Sequence, residues 1–195
     1  MYLTVLGPQG SGKSTQAKLL SEYLNIPYFS TGEEIRKILS DKNHELYSLI
    51  NDDYTKGKLL SNVIINKILN LAIERTLHDG SNGLIIDGTP RKLNQMQDID
   101  EILALHTQKL DLVIFIDVSI EECKARILSR VEKEHRVDDT PTAVQNRLNT
   151  YFSETLPIIA EYEKRGILYK IDGNRPIEPI FEDIKKINPL LKIKL

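Results

Sequence analysis

Short β-branched runs alternate with longer helical patterns along this chain, which predicts a three-layer α/β fold around a mostly parallel sheet. Two observations carry that prediction. Leu84-Ile85-Ile86 and Leu112-Val113-Ile114-Phe115-Ile116 are apolar on both faces, as buried parallel strands are. A glycine-rich turn, Gly7-Pro8-Gln9-Gly10-Ser11-Gly12-Lys13-Ser14-Thr15, joins the apolar run Tyr2–Leu6 to a segment of helical spacing. Sheets of this kind receive ligands beyond the carboxyl ends of their strands. Gly7–Thr15, Asp87–Arg91 and Asp117 all fall at those ends.

The elements follow in order. A strand at 2–6 leads through the glycines into a helix at 13–24, and a short strand at 27–29 leads into a helix at 31–40. Thr31 with Glu34 has the capping-box spacing that starts the latter. Residues 31–77 are largely helical without a strong strand, too long for a simple crossover, and end in a helix at 60–77. Strands at 84–87 and 112–117 flank a helix at 92–105. Ser119 with Glu122 caps a helix at 119–130, and the charged stretch 130–140 follows it. Thr140-Pro141 reads as an N-cap with proline at the first helical position, opening a helix at 141–165. A strand at 167–171 and a helix at 176–187 complete the alternation.

Bulk composition narrows the function. The 195 residues suit one domain with an insertion better than two folds. With 26 basic and 28 acidic side chains the net charge is −2, which argues against nucleic acid or an anionic membrane as main partner. Any basic site must be a local concentration. Cys123 is the single cysteine, so no internal disulfide and no cysteine-based zinc site can form. The sequence enters a strand at once, and no apolar run approaches the length of a membrane span. Cytoplasm is the expected compartment.

The glycine-rich turn has the form G-x-x-x-x-G-K-[ST]. Its main-chain N–H groups can wrap the phosphates of a nucleoside triphosphate, with Lys13 reaching the terminal phosphates and the Ser14 hydroxyl facing Mg²⁺. The helix that follows points its N-terminus at the same anion. After the third strand, Asp87-Gly88-Thr89-Pro90-Arg91 with Gln95 places a carboxylate suited to hold Mg²⁺ through its water. The turn also aims an arginine into the cleft. Arg126, Arg130, Arg136 and Arg147 then accumulate, and Arg126 and Arg130 share a helix face. Surface ion pairs with Glu132, Glu134, Asp138 and Asp139 would explain them at about 0–1 kcal/mol each. Phosphoryl transfer gives them a purpose: the migrating group spreads negative charge that an arginine can stabilise, for a gain of about 10³–10⁵ in rate.

Taken together, Gly7–Thr15, Ser30-Thr31-Gly32 through Arg36, Asp87–Arg91 with Gln95, Arg130–Asp139 with Arg147, Tyr162–Gly166 and Asp172-Gly173 resemble the adenylate kinases over nearly the whole chain. The resemblance implies a three-layer P-loop NTPase fold with a five-stranded parallel sheet. It divides one nucleoside monophosphate kinase domain into a core (1–30, 61–129 and 140–195), an AMP-binding flap (31–60) and a short lid (130–139). It implies transfer of a phosphoryl group from Mg·ATP to AMP, giving two ADP, by a monomer. Gly10, Ser11, Gly12, Lys13, Ser14 and Thr15 would hold the ATP phosphates. Arg36 and Arg91 would take the AMP phosphate, and Thr31 and Gln95 would face its adenine. Arg126, Arg130, Arg136 and Arg147 would surround the transferred group, with Arg126 and Arg130 also near ATP and Arg136 and Arg147 also near AMP. Asp138 and Asp139 would link the closing lid to the site, and Ser14 with Asp87 would serve Mg²⁺ through water. Ser14 stands where many members carry glycine, and Thr89 replaces the usual aromatic.

An anionic phosphate acceptor needs no catalytic base, which favours a nucleotide over an alcohol. Thr31 and Gln95 favour AMP over the UMP or CMP of the family's pyrimidine branch. A nucleotide-dependent switch is the alternative from another class, and a nucleotide binder without catalysis a third. No Asn/Thr-Lys-x-Asp run supports the switch, and the arginines have no role in it. His44, His78, His106 and His135 show no metal-ligand spacing. Leu60, Ile64, Ile68 and Leu71 read as the packing face of their helix.

Overall fold

The computed structural model describes residues 1–56, 58–134 and 140–187, with 130–134 described by their backbone. Five parallel strands form one sheet in the order β2-β3-β1-β4-β5. They are β1 (Tyr2–Leu6), β2 (Tyr28–Ser30), β3 (Leu84–Asp87), β4 (Leu110–Asp117) and β5 (Leu168–Asp172). The helices are α1 (Lys13–Leu24), α2 (Thr31–Ser40), α3 (Tyr47–Thr55), α4 (Asn62–His78), α5 (Leu93–Leu105), α6 (Ile120–Glu134), α7 (Pro141–Thr150), α8 (Leu156–Lys164) and α9 (Ile177–Lys186).

Side-chain alternation along the central strands builds the three layers. Leu84, Ile86, Val113 and Phe115 face one core with Ile50, Ile65, Leu69, Ile99, Leu103 and Tyr162 from the helices of that side. Leu3, Val5, Ile85, Leu112, Ile114 and Ile116 face the other, with Ala17 and Leu20 of α1 and Ile180 and Ile184 of α9. Both faces are covered, so the strands carry the continuous apolar runs seen in the sequence. The central strand β1 lies between β3 and β4, where the chain order reverses. The phosphate-loop sequence therefore emerges at the switch point, flanked by the carboxyl ends of β3 and β4.

Four local readings change. The helix expected over 119–130 runs on to Glu134, into the charged stretch 130–140. The cap of α2 is one residue earlier than expected: Ser30 is the N-cap and its hydroxyl accepts from the Glu33 N–H at 3.4 Å, because Thr31 is already helical. The expected helix over 141–165 is interrupted by a π-helical turn, Tyr151–Thr155, between α7 and α8. On α4 the packing face carries Ile65, Ile68, Leu69 and Ile73, whereas Leu71 is exposed. The caps at Ser119 and Thr140 form as expected, accepting from the N–H groups of Glu122 and Ala143.

Ile85 is fully buried on the sheet face that α1 and α9 cover. Ile85→Ala should lower the unfolding free energy by about 2–5 kcal/mol through lost burial and the cavity left behind. Urea denaturation with an unchanged m-value is the check.

Candidate active site

A cleft of about 960 Å³ opens over the carboxyl ends of β1 and β3. Its floor is the loop from Gly7 to Gly12 and the first turn of α1. Gly10 and Gly12 have φ of 85° and 84°, in the left-handed region that glycine enters without strain. Gly12 is the N-cap of α1, no side chain caps it, and no acidic residue occupies the first turn. The loop and helix thus present main-chain N–H groups and the positive end of a dipole, a ready anion site. Gly10, Ser11, Gly12, Lys13, Ser14 and Thr15 all line it, and the Lys13 ammonium donates to the Pro8 carbonyl at 3.2 Å.

Ser14 and Asp87 meet there. The Ser14 hydroxyl donates to Asp87 Oδ2 at 2.6 Å, and the Tyr28 phenol donates to the same oxygen at 2.9 Å. Burial, and then the neighbouring Asp87 charge, push the Tyr28 pKa well above its ordinary range, so the phenol stays a donor. Asp87 is 2 % exposed, and its Oδ1 has no hydrogen-bond partner among the described residues. A hydroxyl and a buried carboxylate oxygen of this kind suit a hydrated Mg²⁺ carried by a triphosphate. Among the described residues no three His, Cys, Asp or Glu side chains cluster into a metal cage.

The arginines approach from separate elements. Arg126 on α6 donates from Nε to Glu122 at 2.7 Å, from Nη1 to the Ser11 carbonyl at 3.3 Å and from Nη2 to the Gly173 carbonyl at 2.8 Å. Its guanidinium plane is therefore fixed between the phosphate loop and the β5–α9 connection. Arg36 on α2 donates to the Tyr54 hydroxyl at 3.1 Å, and the Arg147 guanidinium of α7 lies 5.4 Å from the Tyr54 ring centroid. One tyrosine on α3 so gathers two arginines. Gly32 leaves room for this: a Cβ there would lie 3.3 Å from Arg36 Nη1. Arg91 is oriented by its Nε donating to the Gly88 carbonyl at 2.8 Å, and Thr155 of the π turn donates to the Arg91 carbonyl at 3.1 Å.

A family model named adenylate kinase matches residues 5–167. The chain belongs to the adenylate kinase family. It is 39 % identical over 181 residues to the adenylate kinase of Bifidobacterium longum, covering 92 % of this chain and 95 % of that one. Adenylate kinase 1 of Synechocystis is 39 % identical over 186 residues, with 95 % of each chain covered. The adenylate kinase of Xanthomonas euvesicatoria is 37 % identical over 186 residues, 95 % and 98 % covered. The enzyme class is a phosphotransferase acting on nucleoside monophosphates.

For this adenylate kinase family member, the structure brings together most of the residues that the sequence singled out. The phosphate-loop residues, Arg36, Asp87, Arg91, Arg126 and Arg147 line one cleft. Thr31 and Gln95 are each 3 % exposed and adjoin lining residues, Thr31 next to Gly32 and Gln95 through its bond to the Arg91 N–H. The side chain of Arg130, and Arg136, Asp138 and Asp139, lie outside the described residues. Tyr54, Tyr28 and the loop Asn174-Arg175-Pro176-Ile177 carry no motif that a single sequence reveals, yet Tyr54 and that loop line the cleft. Pro176 and Ile177 offer an apolar surface beside the fixed plane of Arg126. Cys123 underlies the loop: burial pushes its pKa up to about 11, and its carbonyl sits where a Gly10 Cβ would fall, at 2.5 Å.

Gly10→Ala should therefore fail twice, by its positive φ and by that collision. Expected is a fall in kcat of about tenfold or more, with strain of about 1–3 kcal/mol also lowering the melting temperature. Steady-state kinetics beside thermal denaturation measure the two effects.

Proposed function

We infer that this cleft transfers a phosphoryl group from ATP to AMP, giving two ADP, with the donor on the phosphate loop and the acceptor between α2, α3 and Arg91. The observation that carries this reading is the pair of cationic stations. One is the N-terminus of α1 with Lys13, and the other is the group of Arg36, Arg91 and Arg147. A single triphosphate would need only the first.

In this reading Gly10, Ser11, Gly12, Lys13, Ser14 and Thr15 bind the triphosphate, and the fixed Arg126 plane and Pro176 flank its base. Ser14 and, through water, Asp87 would hold Mg²⁺, which would supply charge neutralisation on the donor phosphates. Arg36 and Arg91 orient the acceptor phosphate, and Thr31 and Gln95 face its base. Its oxygen is already an anionic nucleophile, so no side chain need accept a proton. Arg147 meets the charge that spreads over the migrating group, together with Arg130 and Arg136 of the lid segment. Residues 31–60 and 130–139 act as flaps that close over both nucleotides, and Asp138 and Asp139 fasten the second. Closure excludes the water that would otherwise accept the phosphoryl group. The chain acts as a cytoplasmic monomer on small nucleotides.

A mixture of enzyme, ATP, AMP and Mg²⁺ should yield two ADP for each ATP consumed. Arg91→Ala should lower kcat/KM for AMP by about 10²-fold or more while ATP affinity stays nearly intact. Lys13→Ala should cripple turnover while the melting temperature holds. An unchanged AMP rate in Arg91→Ala would remove that residue from the acceptor site, and single-turnover kinetics with calorimetric ATP titration decide it.

A further inference from the structure

Behind Arg91 runs a relay of three hydrogen bonds. The Arg91 N–H donates to Gln95 Oε1 at 2.7 Å, Gln95 Nε2 donates to Asn62 Oδ1 at 3.3 Å, and Asn62 Nδ2 donates to Asp98 Oδ2 at 3.0 Å. Asn62 opens α4, and Gln95 and Asp98 lie one turn apart on α5. A carboxamide can turn by 180° with almost no change of shape, which exchanges its oxygen and its nitrogen. Here the two ends forbid it. A main-chain N–H only donates, and an ionised carboxylate only accepts. Turning Gln95 would set two N–H groups against each other at Arg91. Turning Asn62 would set two oxygens against each other at Asp98. Gln95 is 3 % exposed, so water does not relieve a mismatch at its end of the relay.

We propose that Asn62 and Asp98 are positioning residues that fix the donor–acceptor polarity of the Gln95 amide and thereby select an amino-bearing over an oxo-bearing base in the acceptor nucleotide. The proposal rests on the reading of Gln95 as facing that base. The relay uses one lone pair of Oε1 and one N–H of Nε2, which leaves one of each for a ligand. An acceptor beside a donor complements an exocyclic N–H beside an unprotonated ring nitrogen, the edge that adenine presents. Hypoxanthine, guanine and uracil present the reverse, a carbonyl beside a ring N–H. An unpinned glutamine would serve both edges by turning, whereas a pinned one leaves buried groups mismatched against the second. Cytosine has adenine's order, so the relay sorts by edge chemistry and not by ring size.

The experiment compares kcat/KM for AMP and for IMP at saturating Mg·ATP. Four proteins are needed: the parent, Asp98→Leu, the exchanged pair Asn62→Asp with Asp98→Asn, and Gln95→Met. Asp98→Leu releases Asn62 and should narrow the AMP-to-IMP ratio by about five- to tenfold, the worth of one buried hydrogen bond, with KM for ATP unchanged. The exchanged pair keeps an acceptor facing Gln95 and a donor facing that acceptor, so it should return the ratio to near the parent value. Gln95→Met should narrow the ratio at least as far as Asp98→Leu. If Asp98→Leu keeps the parent ratio while Gln95→Met narrows it, the relay is packing only and the proposal fails, though Gln95 still reads the base. If Gln95→Met also keeps the ratio, Gln95 does not face the base and both readings fall. Equal losses for AMP and IMP in Asp98→Leu, not restored by the exchange, would overturn the proposal as well.

Discussion

The hydrogen bond between Ser14 and Asp87 joins the two halves of the cleft. Ser14 belongs to the first turn of α1, and Asp87 ends the strand beside β1. Their 2.6 Å contact fixes where the phosphate loop ends relative to the turn that carries Arg91. Tyr28 and, at a longer 3.5 Å, Ser30 donate to the same carboxylate oxygen from β2. Ser30 also caps α2, on which Arg36 sits. One buried carboxylate thus ties together the glycine-rich loop, the β3–α5 turn and the start of α2. Such a group is tolerable inside a protein only because its oxygen is met by several donors.

Orienting the arginines is the second constraint on the site. The Tyr54 hydroxyl and ring face, the Gly88 carbonyl and the Ser11 and Gly173 carbonyls all help to set guanidinium planes. Arg126 has a carboxylate contact as well, with Glu122 holding its Nε. The π turn belongs to the same economy. By adding a residue to the helical repeat between α7 and α8, it carries Tyr151 and Thr155 to the cleft wall, and Thr155 holds the Arg91 carbonyl.

Elements set by local rules were legible in the sequence. Buried parallel strands announce themselves as unbroken apolar runs, and Ser119 and Thr140 cap helices because hydroxyl and N–H are only a few bonds apart. The phosphate loop, Asp87 and Arg91 were legible because glycine spacing and strand ends place them together whatever the rest of the chain does. The one-residue error at α2 came from Ser30 and Thr31, adjacent hydroxyls of which only strand register chooses the cap. The π turn and the outward side of Leu71 depend on what α7, α8 and α4 pack against, which a 3.6-residue period does not encode. Tyr54 had no motif at all. It matters because α3 happens to stand between α2 and α7, and that juxtaposition is tertiary.

The buried polar atoms that lack partners complete the logic of the site. Among the described residues, the Tyr2 and Tyr162 hydroxyls in the core are buried without a hydrogen bond, and so are four atoms near the cleft: Ser11 Oγ, Thr31 Oγ1, Asp87 Oδ1 and Thr89 Oγ1. All four lie on the phosphate loop, at the start of α2 or on the β3–α5 turn. Each such atom costs folding about 1–3 kcal/mol. An apolar residue at Ser11 or Thr89 would have removed that cost. Thr89 shows the point most directly, because its carbonyl is already held by the Thr4 hydroxyl while its own hydroxyl is left over. These four stand around the phosphate loop and the β3–α5 turn, so a ligand bound there could offset what folding left unmatched.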